Sequence, residues 1–246
     1  VHPYRRMMPF LMRGRNESAV YFEQQLDLSR TLPWLEQRQA SLFSLVLHAL
    51  ASVLHERERL NRFTVKRKTY QRDGVLLSFA AKKKLDEEAP LATIKRRFDA
   101  GETFDQLVGA LAGDIETARS GAPSQVDREL GILLKLPGFL LAFLIWLLDG
   151  LYARGLAPRS LVDTDPMYAS AFVANLGSLQ LDAAYHHLYE HGNCPLFVTI
   201  GRIHDGKVTL KFTFDERVED GLYAAHALGL FARRIEDPAS WIPTSA

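Results

Sequence analysis

Residues 211–238 read KFTFDERVEDGLYAAHALGLFARRIEDP, and this stretch decides the fold. Its first residues alternate between polar and apolar side chains, which predicts a half-buried strand. The charged turn 215–221 follows, and apolar residues then recur at helical spacing, so we predict a helix over 222–236 that ends before Asp237-Pro238. A strand that runs into a turn and a helix can present a reactive side chain from a rigid scaffold. The turn therefore holds the first candidate site residues.

The rest of the chain mixes strand and helix patterns without repeats and without a regular strand-helix-strand alternation. This indicates an α+β fold, a two-layer (α/β) arrangement in which helices pack on a mixed sheet. Three helices are predicted in the first half of the chain: one from Ser41 to about Leu60, one after Pro90, and one from Thr103 to Gly121.

Five strands are predicted, over RFTVKRKTY, VLLSFAAK, SAFVANLG, PLFVTIGRI and KVTLKFTF. A turn at 71–74 would join the first two into a hairpin, because it contains Asp73-Gly74. Asp205-Gly206 would join the last two in the same way.

Length and composition predict one domain over residues 1–246, because 246 residues with 47% apolar content can bury one sizeable core. The net charge of +1 gives no overall attraction to nucleic acid, and we expect none as a partner. The single cysteine, Cys194, excludes an internal disulfide, and the first residues lack the apolar run of a signal peptide. These observations predict a cytoplasmic protein.

The segment GILLKLPGFLLAFLIWLLDG, residues 131–150, is the most apolar part of the chain. Pro137-Gly138 interrupts it and leaves about ten strongly apolar positions, whereas a bilayer span needs roughly 20. We expect a helix that is covered by the protein or by a sister subunit. Contact with a membrane surface and a true membrane span are the two alternatives.

Several stretches, in this order, resemble the catalytic domain of the dihydrolipoyl acyltransferases of 2-oxo acid dehydrogenase complexes: SLFSLVLHALASVLHERERLN, VLLSFAAK, SAFVANLGSL, PLFVTIGRI and FDERVEDGLYAAHALGLFARRIEDP. That family shares its fold with chloramphenicol acetyltransferase. The resemblance covers about residues 5–238, with 122–168 as an added stretch, and it is most specific in the last third. It implies a mixed sheet of the chloramphenicol acetyltransferase type and a homotrimer or a multiple of three. We expect a stand-alone core, without a lipoyl or subunit-binding domain.

The resemblance also implies a chemistry. In the family motif Asp-His-Arg-x-x-Asp-Gly, the histidine takes a proton from the thiol of dihydrolipoamide or coenzyme A, and the thiolate attacks a thioester carbonyl. A serine in a Ser-Asn-Leu-Gly strand end donates a hydrogen bond to the oxyanion. The site lies in a channel between subunits of the trimer. Arg5 or Arg6 corresponds to a family arginine that pairs with the motif aspartate, here Asp220.

This chain keeps the frame of both motifs and changes the two reacting positions. The matching residues are Asp215, Arg217, Asp220, Gly221, Asn175, Leu176 and Gly177. Glu216 stands where the histidine belongs, and Ala174 stands where the serine belongs. The candidate catalytic positions are therefore Glu216, Asp220, Ala174 and Asn175, with thioester acyl transfer weak, altered or absent.

Two roles remain open for Glu216. A solvated glutamate has a pKa of about 4.3 and a thiol about 8.5, so proton transfer is uphill by about four units, or about 6 kcal/mol. Burial or neighbouring carboxylates would reduce this gap and allow a base role. The alternative is a salt bridge from Glu216 to an arginine at a subunit contact.

The stretch YHHLYEHGNCP contains His186, His187 and His191. His187 and His191 would share a face of a helix, as a metal pair or as a base with its orienting partner, although Gly192 would end such a helix. We favour surface or subunit-contact histidines and assign no metal, and we keep His187 as a candidate relocated base. Cys194 is predicted to be a small packed residue, with an active thiol as the alternative.

A basic tract from Lys66 to Lys84 lies on the predicted hairpin. Charged residues that alternate with apolar ones usually mark a solvated strand face. The functional alternative is that Lys82, Lys83 and Lys84 bind the phosphates of coenzyme A or acyl-coenzyme A, or dock an acyl carrier.

Two functions follow from these observations. The first is acyl transfer by a stand-alone acyltransferase core with altered catalytic residues. The second is a catalytically silent trimeric scaffold or a module that binds an acyl chain, coenzyme A or a partner protein.

Overall fold

The computed structural model describes residues 3–82, 91–119 and 135–243. Within these ranges the chain forms seven α-helices and eight β-strands. The helices are α1 (Pro3–Leu11), α2 (Thr31–Gln37), α3 (Leu42–Glu56), α4 (Phe104–Arg119), α5 (Gly138–Tyr152), α6 (Arg159–Thr164) and α7 (Gly221–Glu236). The strands are β1 (Ala19–Asp27), β2 (Arg62–Val65), β3 (Lys68–Gln71), β4 (Val75–Lys82), β5 (Leu91–Phe98), β6 (Ala171–Asn175), β7 (Leu196–His204) and β8 (Lys207–Asp215).

Six of the described strands form one sheet in the order β1-β8-β7-β6-β4-β5. The pairs β4–β6 and β6–β7 are parallel, and the other pairs are antiparallel. The sheet is therefore mixed, as predicted, and α3 and α7 pack on one of its faces. The fold class predicted from the sequence, α+β with helices on a mixed sheet, is confirmed.

Helix α3 lies in the centre of the core, with nine of its residues buried. Ser41 begins it through a capping box, in which the Ser41 hydroxyl accepts from the Ser44 backbone N–H and the Ser44 hydroxyl accepts from the Ser41 N–H. The helix ends at Glu56, and a short 3₁₀ turn over Glu58–Asn61 continues the chain toward β2. The predicted core helix from Ser41 to about Leu60 thus corresponds to these two elements.

The decisive stretch folds as its pattern predicts. Strands β7 and β8 pair antiparallel and are joined at Asp205 (φ 48°) and Gly206 (φ 70°). Two successive positive φ angles are what a type I′ hairpin turn requires. Helix α7 follows β8 after five turn residues and buries Ala224, Ala227 and Phe231 against the core.

Two predicted elements are wrong. The expected hairpin between RFTVKRKTY and VLLSFAAK does not form, because Lys66 adopts φ 53° and turns the chain, so that β2 pairs with β3. Strand β4 instead enters the main sheet between β5 and β6. The helix predicted after Pro90 is strand β5: Ile94 and Phe98 pack against the core, a spacing of four that fits both a helix and a strand.

The second face of the sheet is covered by residues 181–195, which have no regular secondary structure. The Thr199 hydroxyl donates to the Ala184 carbonyl at 2.6 Å, and the Thr213 hydroxyl donates to the His186 carbonyl. A small cluster lies beneath this segment: Ala169, Phe172, Leu188, Cys194 and Phe197. The segment is therefore hydrogen-bonded to both β7 and β8.

Helix α5 forms in the apolar segment predicted for 131–150, of which 135–150 lie within the described residues. It has no buried residue in the described part of the chain, and Phe139 and Trp146 are 79% and 69% exposed. None of the described helices combines the length and hydropathy that a membrane crossing requires.

Candidate active site

The turn after β8 is held by a buried ion pair. The Arg217 guanidinium donates to both carboxylate oxygens of Asp215 at 2.8 Å, and both side chains are almost completely buried. The Ser18 hydroxyl donates to the same carboxylate at 2.8 Å. Because a bidentate pair fixes the geometry of both partners, the backbone between them, at Glu216, has a defined position.

The far end of the turn is fixed by Asp220, which caps α7. Its carboxylate accepts from the Tyr223 backbone N–H at 2.8 Å. This hydrogen bond is the main reason that the pKa of Asp220 lies below its usual range, and the nearby Arg5 guanidinium acts in the same direction. Of the two arginines expected to pair with Asp220, Arg5 is near enough to lower its pKa, and its guanidinium donates to the Glu216 carbonyl.

Glu219 is buried between these points and pairs with Arg62 at 3.1 Å and Arg59 at 3.5 Å. Three of the four acidic residues of the turn thus have structural partners. Asp215 has Arg217, Asp220 has the helix N-terminus, and Glu219 has two arginines.

Glu216 is the exception. Its backbone N–H donates to the Ser18 carbonyl at 2.9 Å, and its carbonyl accepts from Arg5. No described residue donates a hydrogen bond to the Glu216 carboxylate or forms an ion pair with it, and the residue is half-buried. The turn therefore fixes the main chain of Glu216 and leaves its side chain available.

The second motif lies at the end of β6. Ala174 packs against the small cluster under residues 181–195, so its methyl group lies on the sheet face away from α3. Asn175 accepts from the Ser178 N–H at 3.2 Å and so closes the turn that follows. A Cβ at Gly177 would collide with the Gly201 carbonyl, which explains why glycine stands there.

The two motifs lie at opposite ends of the sheet along the direction of its strands. Ala174 is opposite Thr199, and Thr199 is opposite Lys211. Glu216 is five residues farther along the chain than Lys211, which at about 3.3 Å per residue places it roughly 17 Å away along the strand direction. One chain alone therefore does not bring Glu216 and Ala174 into one site.

The fold has close counterparts among solved structures. The catalytic core of the 2-oxoacid dehydrogenase multienzyme complex from Thermoplasma acidophilum has a TM-score of 0.61 and 13% identity, over 97% of each chain. Chloramphenicol acetyltransferase has a TM-score of 0.59 and 14% identity, over 95% of this chain and 94% of that one. This chain has the chloramphenicol acetyltransferase fold.

A third structure with this acyltransferase fold is the dihydrolipoamide acetyltransferase of Azotobacter vinelandii, at a TM-score of 0.60 and 16% identity, over 96% of this chain and 90% of that one. In that protein the role of a serine, a histidine and an asparagine in the catalytic mechanism was investigated. No protein-family model and no curated protein matches the sequence.

The histidine stretch does not form the predicted helix face. His186 stacks on Phe197 with a centroid distance of 3.9 Å, and burial lowers its pKa. His187 is exposed, stacks on His186, and lies near the backbone carbonyl of Leu188. His191 points elsewhere and contacts Asp149 and Asp165. Within the described ranges, no group of three His, Cys, Asp or Glu residues could hold a metal ion.

Cys194 is a packed residue. It is buried in the small cluster and donates from its thiol to the Leu196 carbonyl at 3.3 Å. Burial raises the pKa of this thiol, which is the opposite of what a reactive thiolate needs.

The predicted phosphate-binding lysines lie outside the described residues. Lys83 and Lys84 are not described, and of Lys82 only the backbone is, as the last residue of β4. At the Ala174 end, an open groove of about 670 Å³ carries mixed charges instead. There Arg202 pairs with Asp182 at 2.8 Å and Lys211 pairs with Glu23 at 3.3 Å, so these cations are already neutralised.

Sequence reasoning missed the contacts that tie the residues just before β1 to the segment 181–195. Arg15 is buried and donates to the carbonyls of Tyr189, Glu190 and Gly192, while the Glu190 carboxylate accepts from the Arg15 and Asn16 N–H groups. These contacts join residues about 175 positions apart. No local pattern predicts such a pair.

Proposed function

We propose that this chain is an assembly-forming subunit with the acyltransferase fold, in which thioester acyl transfer is strongly reduced or absent. One observation carries the proposal. The turn that would present the catalytic histidine keeps its ion pair and helix cap, yet Glu216 occupies the presenting position. In the Azotobacter enzyme the histidine and asparagine are four positions apart, as are Glu216 and Asp220 here.

The expected loss of rate is large. A general base contributes about 10²–10⁴ in rate, and an oxyanion donor about 10²–10³. Ala174 has no hydroxyl to donate. A chain that lacks both groups should therefore be at least about 10⁴-fold slower than an enzyme that has them.

The separation of the two motifs supports assembly into a homotrimer or a multiple of three. A base and an oxyanion donor must each approach the same thioester within about 3 Å. Glu216 and Ala174 lie at opposite ends of one sheet, so a shared site would need Glu216 of one copy and Ala174 of another. The exposed apolar stripe of α5, formed by Phe139, Phe143 and Trp146, offers area for such a contact.

The second candidate function is acyl transfer with Glu216 as the base. This function is favoured because the Glu216 carboxylate has no partner among the described residues. Coenzyme A or an acyl-coenzyme A would be the substrate, with Lys82, Lys83 and Lys84 as our candidates for its phosphates. Glu216→Gln should then abolish any residual transfer. If Glu216 instead forms a salt bridge between copies, the same variant should leave residual transfer unchanged and weaken the assembly.

Restoring the lost groups tests the first proposal. Glu216→His with Ala174→Ser should increase acetyl transfer from acetyl-coenzyme A to dihydrolipoamide by at least about 10²-fold, because the frame of both motifs is already present. The matched control is Glu216→Gln with Ala174→Ser, which has the hydroxyl but no base. If the restored variant binds acetyl-coenzyme A and remains as slow as the wild type, the proposal that only the reacting groups were lost is wrong.

A further inference from the structure

His191 lies between two carboxylates from different parts of the added stretch. Its Nδ1 is 3.2 Å from an Asp149 carboxylate oxygen, in the last turn of α5. Its Nε2 is 2.8 Å from an Asp165 carboxylate oxygen, directly after α6. His191 itself belongs to the segment that covers the sheet, so these two contacts tie α5 and α6 to the core of the fold.

The geometry requires a charged imidazole. An ionised carboxylate only accepts hydrogen bonds, and a neutral imidazole carries a single N–H. Both contacts are satisfied together only when both ring nitrogens are protonated. The histidine therefore binds both aspartates as an imidazolium and loses one of the two hydrogen bonds when it releases a proton.

Helix α5 has few other attachments within the described residues. Asn193 donates to the Tyr152 hydroxyl, and the Tyr152 ring packs edge-on against Tyr168 at 4.5 Å. None of the side chains of α5 is buried. Loss of the contact between His191 and Asp149, at the C-terminal end of α5, should therefore weaken the attachment of this helix to the core.

Ionisable groups of both signs surround His191: the carboxylates of Asp165 and Asp149 favour its charged form, and the nearby cations oppose it. The surrounding groups are Asp149 and Tyr152 from α5, Asp165 and Tyr168 from the segment after α6, Lys95 from β5, whose ammonium donates to the Asp165 carbonyl, and Arg15, whose guanidinium donates to the carbonyls on both sides of His191. The hydrogen bond to Asp165 is the main cause that raises the pKa of His191 above 6.5, against partial burial.

We propose that His191 is a proton-dependent clasp that holds the apolar helix α5 on the core of the fold. A raised pKa means that the two carboxylates stabilise the charged imidazole, and the Asp149 carboxylate does so from α5 itself. This stabilisation is fully present below about pH 6.5 and is lost as the pH rises through the raised value. The clasp does not depend on the proposed function, since no reacting group takes part in it.

Hydrogen–deuterium exchange of the α5 amides tests the clasp. At pH 6, His191→Gln should exchange amides 138–152 at least about fivefold faster than the wild type does. The difference between the two proteins should shrink as the pH is raised above 6.5, because the wild-type imidazole then loses one of its two hydrogen bonds. His204→Gln is the matched control, because among the described residues His204 forms an ion pair only with the adjacent, highly exposed Asp205. Equal exchange of wild type and His191→Gln at pH 6 would overturn the proposal.

A titration of the His191 ring by NMR gives an independent reading. The midpoint should lie above 6.5 in the wild type and move toward 6.5 in Asp165→Asn, which cannot accept with full charge. A wild-type midpoint at or below 6.5, or one that Asp165→Asn leaves unchanged, would also overturn the proposal.

Discussion

At the scale of single residues, the four acidic side chains of the turn 215–221 have two different roles: three hold the structure, and one is left available for another contact. Asp215, Glu219 and Asp220 are used for structure, in an ion pair, a buried contact to arginines and a helix cap. Glu216 alone projects from this frame with its carboxylate uncommitted in the described part of the chain. The frame would hold a histidine equally well, because only main-chain contacts of Glu216 are involved.

Arg217→Met should destabilise the protein by about 3–5 kcal/mol, because it leaves the buried Asp215 carboxylate without its counter-charge. Arg202→Met is the matched control. Arg202 makes a similar pair with Asp182, but on the surface, where a pair is worth about 0–1 kcal/mol. Urea unfolding at one fixed protein concentration measures both. Equal effects of the two variants would mean that the Asp215–Arg217 pair does not hold the turn.

Asp220→Ala should cost about 1 kcal/mol, the usual value for a lost N-cap. The pKa of Asp220 is depressed below 3.8, so its charged form stabilises the folded state above that value, and this stabilisation is lost as the pH falls through the depressed pKa. The difference between wild type and Asp220→Ala should therefore shrink at low pH. A difference that stays constant between pH 6 and pH 3 would contradict a role for the ionised cap.

At the scale of elements, strands β7 and β8 and helix α7 could be predicted from the sequence because their signals are local. Alternating apolar residues, the Asp205-Gly206 turn and apolar residues at helical spacing all lie between residues 195 and 236. Strand β5 could not be predicted, since Ile94 and Phe98 fit both periods and only the pairing with β4 decides between them. The frame of the candidate site was predicted through its resemblance, whereas Ser18, which donates to Asp215, reaches it from a distant part of the chain.

The apolar stripe of α5 should be a contact between copies of the chain. Phe139, Phe143 and Trp146 are 79%, 51% and 69% exposed, and each such side chain offers a few kcal/mol to whatever buries it. Phe139→Ser with Trp146→Ser should reduce the assembly to smaller species in light scattering. Leu156→Ser, at a position 66% exposed just beyond the helix, is the control. An intact assembly that no longer binds liposomes or fatty acyl ligands would favour a membrane or acyl-chain role.

At the scale of the whole molecule, the sheet places the two motifs too far apart for one chain to use them together. The proposed assembly resolves this separation because a neighbour can bring its own β6 end to the turn of the first copy. Light scattering should give a mass of three times 27.8 kDa, or a multiple of it. A stable monomer of 27.8 kDa would contradict both the proposed assembly and a site shared between copies.

The most direct test of the account is the rate of acetyl transfer from acetyl-coenzyme A to dihydrolipoamide by the wild-type protein. A dihydrolipoamide acetyltransferase that has the histidine and the serine is measured beside it under identical conditions. The account predicts a rate at least about 10⁴-fold lower for this chain, since Glu216 and Ala174 replace the base and the oxyanion donor. A rate within about tenfold of that enzyme, in a preparation free of contaminating activity, would contradict it.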